Sequence, residues 1–145
     1  MSIRGISHVT FVVADLERTA RLFGEGLGAR EVYDSAGREH SISREKFFVL
    51  GDLWLVAMQG APLADRSYRH VAFAVDAAEL PGYRQRLQAL GVEVLPGRGR
   101  IEGEGESLYF HDDDNHLFEL HAGTLDQRLA AYAVMDAASA QFKPD

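Results

Sequence analysis

Short apolar runs, punctuated by glycine and acidic turn residues, divide this chain into two similar halves. His8-Val9-Thr10-Phe11-Val12-Val13 reads as a strand, and it recurs 62 residues on as His70-Val71-Ala72-Phe73-Ala74-Val75, with His, Val, Phe and Val in register. An acidic helix-start residue follows each run, Asp15 in one copy and Asp76 in the other. Leu16, Ala20, Phe23 and Leu27 fall on one helical face, as do Leu80, Tyr83, Leu87 and Leu90. Pro81 is tolerated only near a helix start, which sets the second helix to begin close to Glu79. Gly28 and Gly91 end the two helices, ahead of the strand-like runs Arg30-Glu31-Val32-Tyr33 and Val92-Glu93-Val94-Leu95. A strand pair closes each half. The first is Lys46–Leu50 and Leu53–Met58 around Gly51-Asp52; the second is Ser107–Phe110 and Leu117–Leu120 around Asp112–Asn115. The pattern predicts an α+β protein of two tandem βαβββ modules, about 3–60 and 68–122, within a single domain spanning 1–145. A third helix follows Thr124 over about 125–133, carrying Leu125, Leu129 and Tyr132, with an alanine-rich stretch that extends it. The chain end, Gln141 to Asp145, is weakly patterned and expected to fray.

Two stretches break the regular pattern. Gly60–Ser67 links the halves, and Pro96–Glu106 (PGRGRIEGEGE) is a glycine-rich charged loop of a length that compact domains keep for function. No Gly-Lys-Ser/Thr follows and no helix starts there, so it is not a phosphate-binding P-loop. Composition narrows the function classes. Apolar residues make up 46% and charged residues 26% of 145, the proportions of a globular protein. The formal net charge of −7 argues against a general grip on nucleic acid or an anionic membrane surface. The absence of cysteine removes disulfides, thiol nucleophiles and thiolate metal sites, leaving sites built from His, Asp and Glu. The start, MSIRGISHVT, shows no signal peptide and no run is long enough for a membrane helix, so a cytoplasmic protein is expected.

Six histidines invite a search for a metal site. His40 and His111 sit beside loop residues and read as solvated. His116 follows the acidic turn and reads as a hairpin stabiliser. His121 lies two residues past Glu119 on the same strand face, and either supports that carboxylate or packs. Asp112-Asp113-Asp114-Asn115 lacks the alternating ligand spacing, glycine and distal Glu of a calcium loop. His8 and His70 differ, because the repeat puts them at equivalent points of equivalent strands. Glu119 is a carboxylate within the apolar run Leu117-Phe118-Glu119-Leu120, where an unpaired charge is costly. Two imidazoles and one carboxylate with open positions suit a catalytic divalent metal; the alternative is three unrelated core-edge residues. The repeat offset carries Glu119 onto Ala57, so one site per pair of modules is expected.

With these residues in place, the chain resembles the vicinal-oxygen-chelate superfamily and, within it, the fosfomycin-resistance proteins of the hydrolytic FosX type. The resemblance runs from about Ile3 to Leu129, sharpest in GISHVTFVVADLER, SREKFF, the GDLW turn, DRSYRHVAF and EGEGESLYFHDDDNHLFELHAGTL. It implies modules joined in a curved mixed sheet. It also implies a homodimer in which His8 of one chain completes a site with His70 and Glu119 of the other, with Mn(II) or another divalent metal bound. The implied substrate is fosfomycin, a small epoxide bearing a phosphonate, and the implied reaction is hydration to a vicinal diol. Glu45 of the SREKFF stretch matches the glutamate that activates water; without the resemblance it reads as an exposed charge at a strand start. Thr10, Tyr68, Ser107, Tyr109 and Arg128 match donors around the phosphonate, and Trp54 matches an aromatic wall. Arg98 and Arg100 are either bidentate anion partners or solvated loop charges. Glu106 stands where such proteins often carry a basic residue, and is expected to weaken anion binding beside Ser107. Three alternatives stay open: a metal-dependent thiol transferase on the same drug, another reaction of the superfamily, and a drug-binding module without turnover.

Overall fold

A computed structural model describes residues 1–141, so of the end expected to fray only Gln141 lies among the described residues. The element order is β1 (His8–Val13), α1 (Leu16–Arg21, continued by a π turn over Leu22–Gly26), β2 (Arg30–Asp34), β3 (Glu45–Leu50) and β4 (Leu53–Gln59). The second half continues with β5 (His70–Ala74), α2 (Leu80–Ala89, entered through a 3-10 turn over Ala77–Glu79), β6 (Val94–Leu95), β7 (Glu106–His111), β8 (Leu117–Ala122) and α3 (Leu125–Ala140). The strands form two four-stranded mixed sheets, β1-β4-β3-β2 and β5-β8-β7-β6. In each, the first pair is parallel and the others antiparallel. The α+β reading from the repeat is borne out, one βαβββ unit per sheet.

Local chemistry starts the helices where the sequence predicts. The Asp15 carboxylate accepts the backbone N–H groups of Glu17 and Arg18, and Asp76 with Glu79, and Thr124 with Gln127, close capping boxes. The expected face of α1 packs into the core: Leu16, Phe23 and Leu27 are buried and Ala20 is half-buried against it, joined by Thr19 and Leu22. A π turn over Leu22–Gly26 follows the α-helical part. The helix can also lie close to α2 because residue 26 is glycine: a Cβ there would stand 3.2 Å from Leu87 Cδ2 and 3.3 Å from Leu90 Cδ1.

One apolar core serves both halves. Phe11, Phe23, Phe48 and Leu55 from the first pack with Phe73, Leu108, Phe110, Phe118 and Leu120 from the second. Phe118 is central: its ring centroid lies 5.1 Å from Phe11, 6.1 Å from Phe23, 6.2 Å from Phe73 and 5.3 Å from Phe110. The acidic turn staples the halves together. Asp114, almost fully buried, accepts the Ala14 N–H at 2.8 Å, and its carbonyl accepts from Leu63 N–H. Asp112 accepts the N–H groups of Asp114 and His116, and His116 Nδ1 bonds its other oxygen at 2.8 Å, the hairpin role expected of that histidine. His111 corrects the sequence reading: β7 extends to include it, and both its ring nitrogens are buried and have no partner among the described residues.

Alternation along the strands gives each sheet a second face, turned away from this core. Cross-strand register aligns His8, Thr10, Trp54, Val56 and Glu45 on that face of the first sheet. On the second it aligns His70, Glu119, His121, Tyr109 and Ser107. No helix among the described residues is long and apolar enough to cross a membrane.

Candidate metal and anion site

The second sheet carries the denser cluster. Glu119 lies in β8 with its neighbours Phe118 and Leu120 in the core, so alternation turns its carboxylate onto the open face, 4% exposed. One oxygen, Oε2, lies 3.0 Å from His70 Nε2. The other, Oε1, accepts from Ser107 Oγ at 2.6 Å and from Arg100 Nη2 at 3.0 Å. The same Arg100 nitrogen donates to the Tyr109 hydroxyl at 2.9 Å, and the Tyr68 hydroxyl stands 3.5 Å from Tyr109. Burial pushes the Glu119 carboxyl up, but the donors Ser107 and Arg100 outweigh it and hold the group below its ordinary value. Burial pushes the Tyr109 phenol well above its ordinary value, so it stays a neutral donor.

The imidazole of His70 fits a cation. Its Nδ1–H donates to the Tyr68 carbonyl at 2.7 Å, an oxygen that can only accept. In its neutral form the ring then presents the Nε2 lone pair toward Glu119 Oε2. The nitrogen and the carboxylate oxygen lie 3.0 Å apart, and such a pair is a donor set for a divalent metal.

The glycine-rich loop holds a residue that the sequence reading missed. Glu104 is fully buried and gathers the arginines singled out as anion partners. Arg98 forms a two-pronged pair with it, Arg100 Nη1 donates at 3.2 Å and the Tyr132 hydroxyl at 3.1 Å, and Arg128 Nε stands 3.8 Å away. The Arg98 guanidinium first of all holds the carboxyl down at about 2. The flanking glycines make the insertion possible: Gly103 and Gly105 have φ of +84° and +95°, and a Cβ at Gly105 would stand 2.8 Å from the Ala122 carbonyl. A Gly-Glu-Gly following two arginines was the available signal. Arg98 and Arg100 are thus paired with carboxylates rather than freely solvated. Glu106, by contrast, stands opposite Ala122 and is exposed, and alternation turns it to the face away from Ser107, so its charge does not enter the cluster.

The first sheet carries the other candidates. His8 packs against Trp54 with ring centroids 4.5 Å apart and the rings tilted by 39°, and its Nδ1 lies 3.1 Å from Ser7 Oγ. In the SREKFF stretch, alternation separates roles. Lys46 turns inward to Glu31, Glu17 and Asp34 at 2.7, 3.5 and 3.3 Å, while Arg44 pairs with Asp34 at 2.8 Å and Glu17 at 3.1 Å. Glu45 faces the other way. It is 7% exposed rather than an exposed strand-start charge, and its carboxylate makes no hydrogen bond or ion pair among the described residues. No group of three His, Asp or Glu side chains able to hold a metal forms within one chain among the described residues, so His8 does not join His70 and Glu119.

Comparison with known proteins adds the lineage. The model of the Glyoxalase/Bleomycin resistance protein/Dioxygenase superfamily matches residues 5–120. The fosfomycin resistance protein FosX of Mesorhizobium japonicum is 54% identical over 131 residues, covering 90% of this chain and 94% of that protein. FosX of Listeria monocytogenes is 48% identical over 130 residues, covering 90% and 98%. The crystal structure of a mutant of the Listeria protein, complexed with Mn(II) and 1S,2S-dihydroxypropylphosphonic acid, superposes with a TM-score of 0.83 at 47% identity over 90% of this chain and 99% of that one. The chain belongs to the Glyoxalase/Bleomycin resistance protein/Dioxygenase superfamily and, within it, to the FosX family of fosfomycin resistance proteins.

Proposed function

We propose that this protein is a Mn(II)-dependent fosfomycin epoxide hydrolase that confers resistance by hydrating the oxirane to a vicinal diol. The His70–Glu119 pair carries the reading: an imidazole lone pair aimed at a buried carboxylate oxygen that is left free by Ser107 and Arg100. A FosX structure that holds Mn(II) and a dihydroxypropylphosphonic acid supports both metal and product class. His8 of a partner chain completes the ligand set, because among the described residues one chain brings together His70 and Glu119 without His8. The functional unit is therefore a homodimer that sets the first-sheet face of one protomer against the second-sheet face of the other.

Bound there, a divalent metal supplies Lewis acidity to the epoxide oxygen. The chain supplies the rest. The Glu45 carboxylate, buried and unpartnered, takes a proton from water as the water oxygen bonds to an oxirane carbon. The carbon–oxygen bond of the ring breaks, its oxygen takes up a proton, and Glu45 returns its own to solvent, leaving a diol. The phosphonate dianion is held by Arg98, Arg100 and Arg128, with hydroxyls from Thr10, Tyr68 and Tyr109 and the ring of Trp54 closing the pocket. Glu104 keeps three guanidiniums together that would otherwise repel. The 31P NMR spectrum of fosfomycin incubated with the Mn(II)-loaded protein tests the reading. Diol formation with no added thiol is expected; turnover only with glutathione makes the protein a thiol transferase, and stoichiometric protection without product makes it a binding module.

A further inference from the structure

His121 lies on the open face of β8 two residues past Glu119, and it forms one directed chain of hydrogen bonds with three side chains around it. Arg128 Nη2 stands 3.3 Å from His121 Nε2, His121 Nδ1 stands 2.7 Å from Ser107 Oγ, and Ser107 Oγ stands 2.6 Å from Glu119 Oε1. Only one assignment of hydrogens satisfies all three. A guanidinium only donates, so Nε2 accepts; a neutral imidazole then carries its hydrogen on Nδ1 and gives it to Ser107. The serine has one hydrogen, and a carboxylate only accepts, so that hydrogen goes to Glu119. The backbone leaves room for this line, since residue 123 is glycine: a Cβ there would stand 2.7 Å from His121 Nε2.

We infer that His121 is a positioning residue for the metal carboxylate: as the Nδ1–H tautomer it aims the Ser107 hydroxyl at Glu119 Oε1, which fixes the carboxylate and leaves Oε2 to the metal. This rests on the reading of His70 and Glu119 as metal ligands. It changes the part played by two residues matched to the phosphonate. Ser107 spends its only hydrogen on Glu119, and Arg128 is tied through one imidazole to the same carboxylate. Groups that orient a metal ligand in this way are worth about 10- to 100-fold in metal affinity.

The experiment compares wild type with His121→Phe, His121→Asn, Ser107→Ala and the His121→Phe/Ser107→Ala double variant. Mn(II) dissociation constants come from the EPR signal of free Mn(II), and far-UV circular dichroism verifies folding. His121→Phe and Ser107→Ala are each expected to weaken Mn(II) binding about 10- to 100-fold. The double variant should be no weaker than either single one, since both act on one bond. His121→Asn places an amide N–H near the Nδ1 position and should recover most of the affinity. In the metal-free wild type, a long-range 1H–15N spectrum should show His121 neutral with the hydrogen on Nδ1. Unchanged Mn(II) affinity in His121→Phe, or a hydrogen on Nε2, overturns the inference. Should the wild type bind no Mn(II) at all, the metal-site reading fails instead, and the tautomer spectrum still decides His121.

Discussion

Replacing Phe118 by alanine should cost roughly 3–5 kcal/mol of stability and should be felt equally in both halves of the chain. The ring is fully buried among Phe11 and Phe23 of the first half and Phe73 and Phe110 of the second. A phenylalanine ring buries about 150–250 Å², which at about 25 cal/mol per Å² amounts to roughly 4–6 kcal/mol. Its neighbours are held by sheet hydrogen bonds, so the cavity collapses little and the cost stays near about 4 kcal/mol. For a chain of this size that is a fall in Tm of about 8–16 °C. Urea unfolding of wild type and variant at one protein concentration measures it, since a dimer's midpoint depends on concentration. Trp54 is the sole tryptophan and lies in the first half, whereas Phe118 lies in the second. Its fluorescence should therefore lose the same free energy as far-UV circular dichroism. A loss below about 1 kcal/mol, or a Trp54 transition that stays put while circular dichroism moves, would refute a shared core and leave two independent modules.

Glu45→Gln should lower fosfomycin hydration by about 10²–10⁴-fold while Mn(II) binding by EPR stays at the wild-type value; hydration at the wild-type rate removes Glu45 from the mechanism. Mixing inactive His8→Ala and Glu119→Gln homodimers under conditions that exchange subunits should restore about a quarter of wild-type activity, because half the dimers then hold one intact site. No recovery after verified exchange argues against ligands shared between protomers. Glu104 is held at about 2 in the folded chain, below its ordinary 4.5, so its stabilisation is complete above the higher value and is lost as pH falls toward the lower one. Urea midpoints measured from about pH 5 down to about pH 2.5 should fall more steeply for wild type than for Glu104→Gln; equal slopes would show that the carboxylate clamp contributes nothing.

The repeat was legible because strand and helix periodicity, acidic caps and glycine stops are local, and the two halves spell them in register. Alternation alone was enough to turn Glu119 away from its apolar neighbours Phe118 and Leu120, and to put His121 on its face. The π turn after Arg21 was not legible: it trades one local hydrogen-bond pattern for another of similar energy, and the close packing of Gly26 on Leu87 and Leu90 accompanies that choice. Nor was the burial of His111, which depends on where the partner strand ends. Without the resemblance Glu45 looked like an exposed charge, since nothing local tells an exposed strand-start carboxylate from a buried one.

The elements, the two-module plan and the residue types able to hold a metal are written along the chain, because each depends on neighbours a few positions apart. How those residues are used is a matter of packing. Three arginines are drawn onto Glu104, and His70 is aimed at one oxygen of Glu119 while Ser107 and Arg100 take the other. His8 is kept out of that group within a single chain. Burial and pairing of charge depend on which distant segments meet, and such meetings are set by packing of the whole chain rather than by any stretch of it.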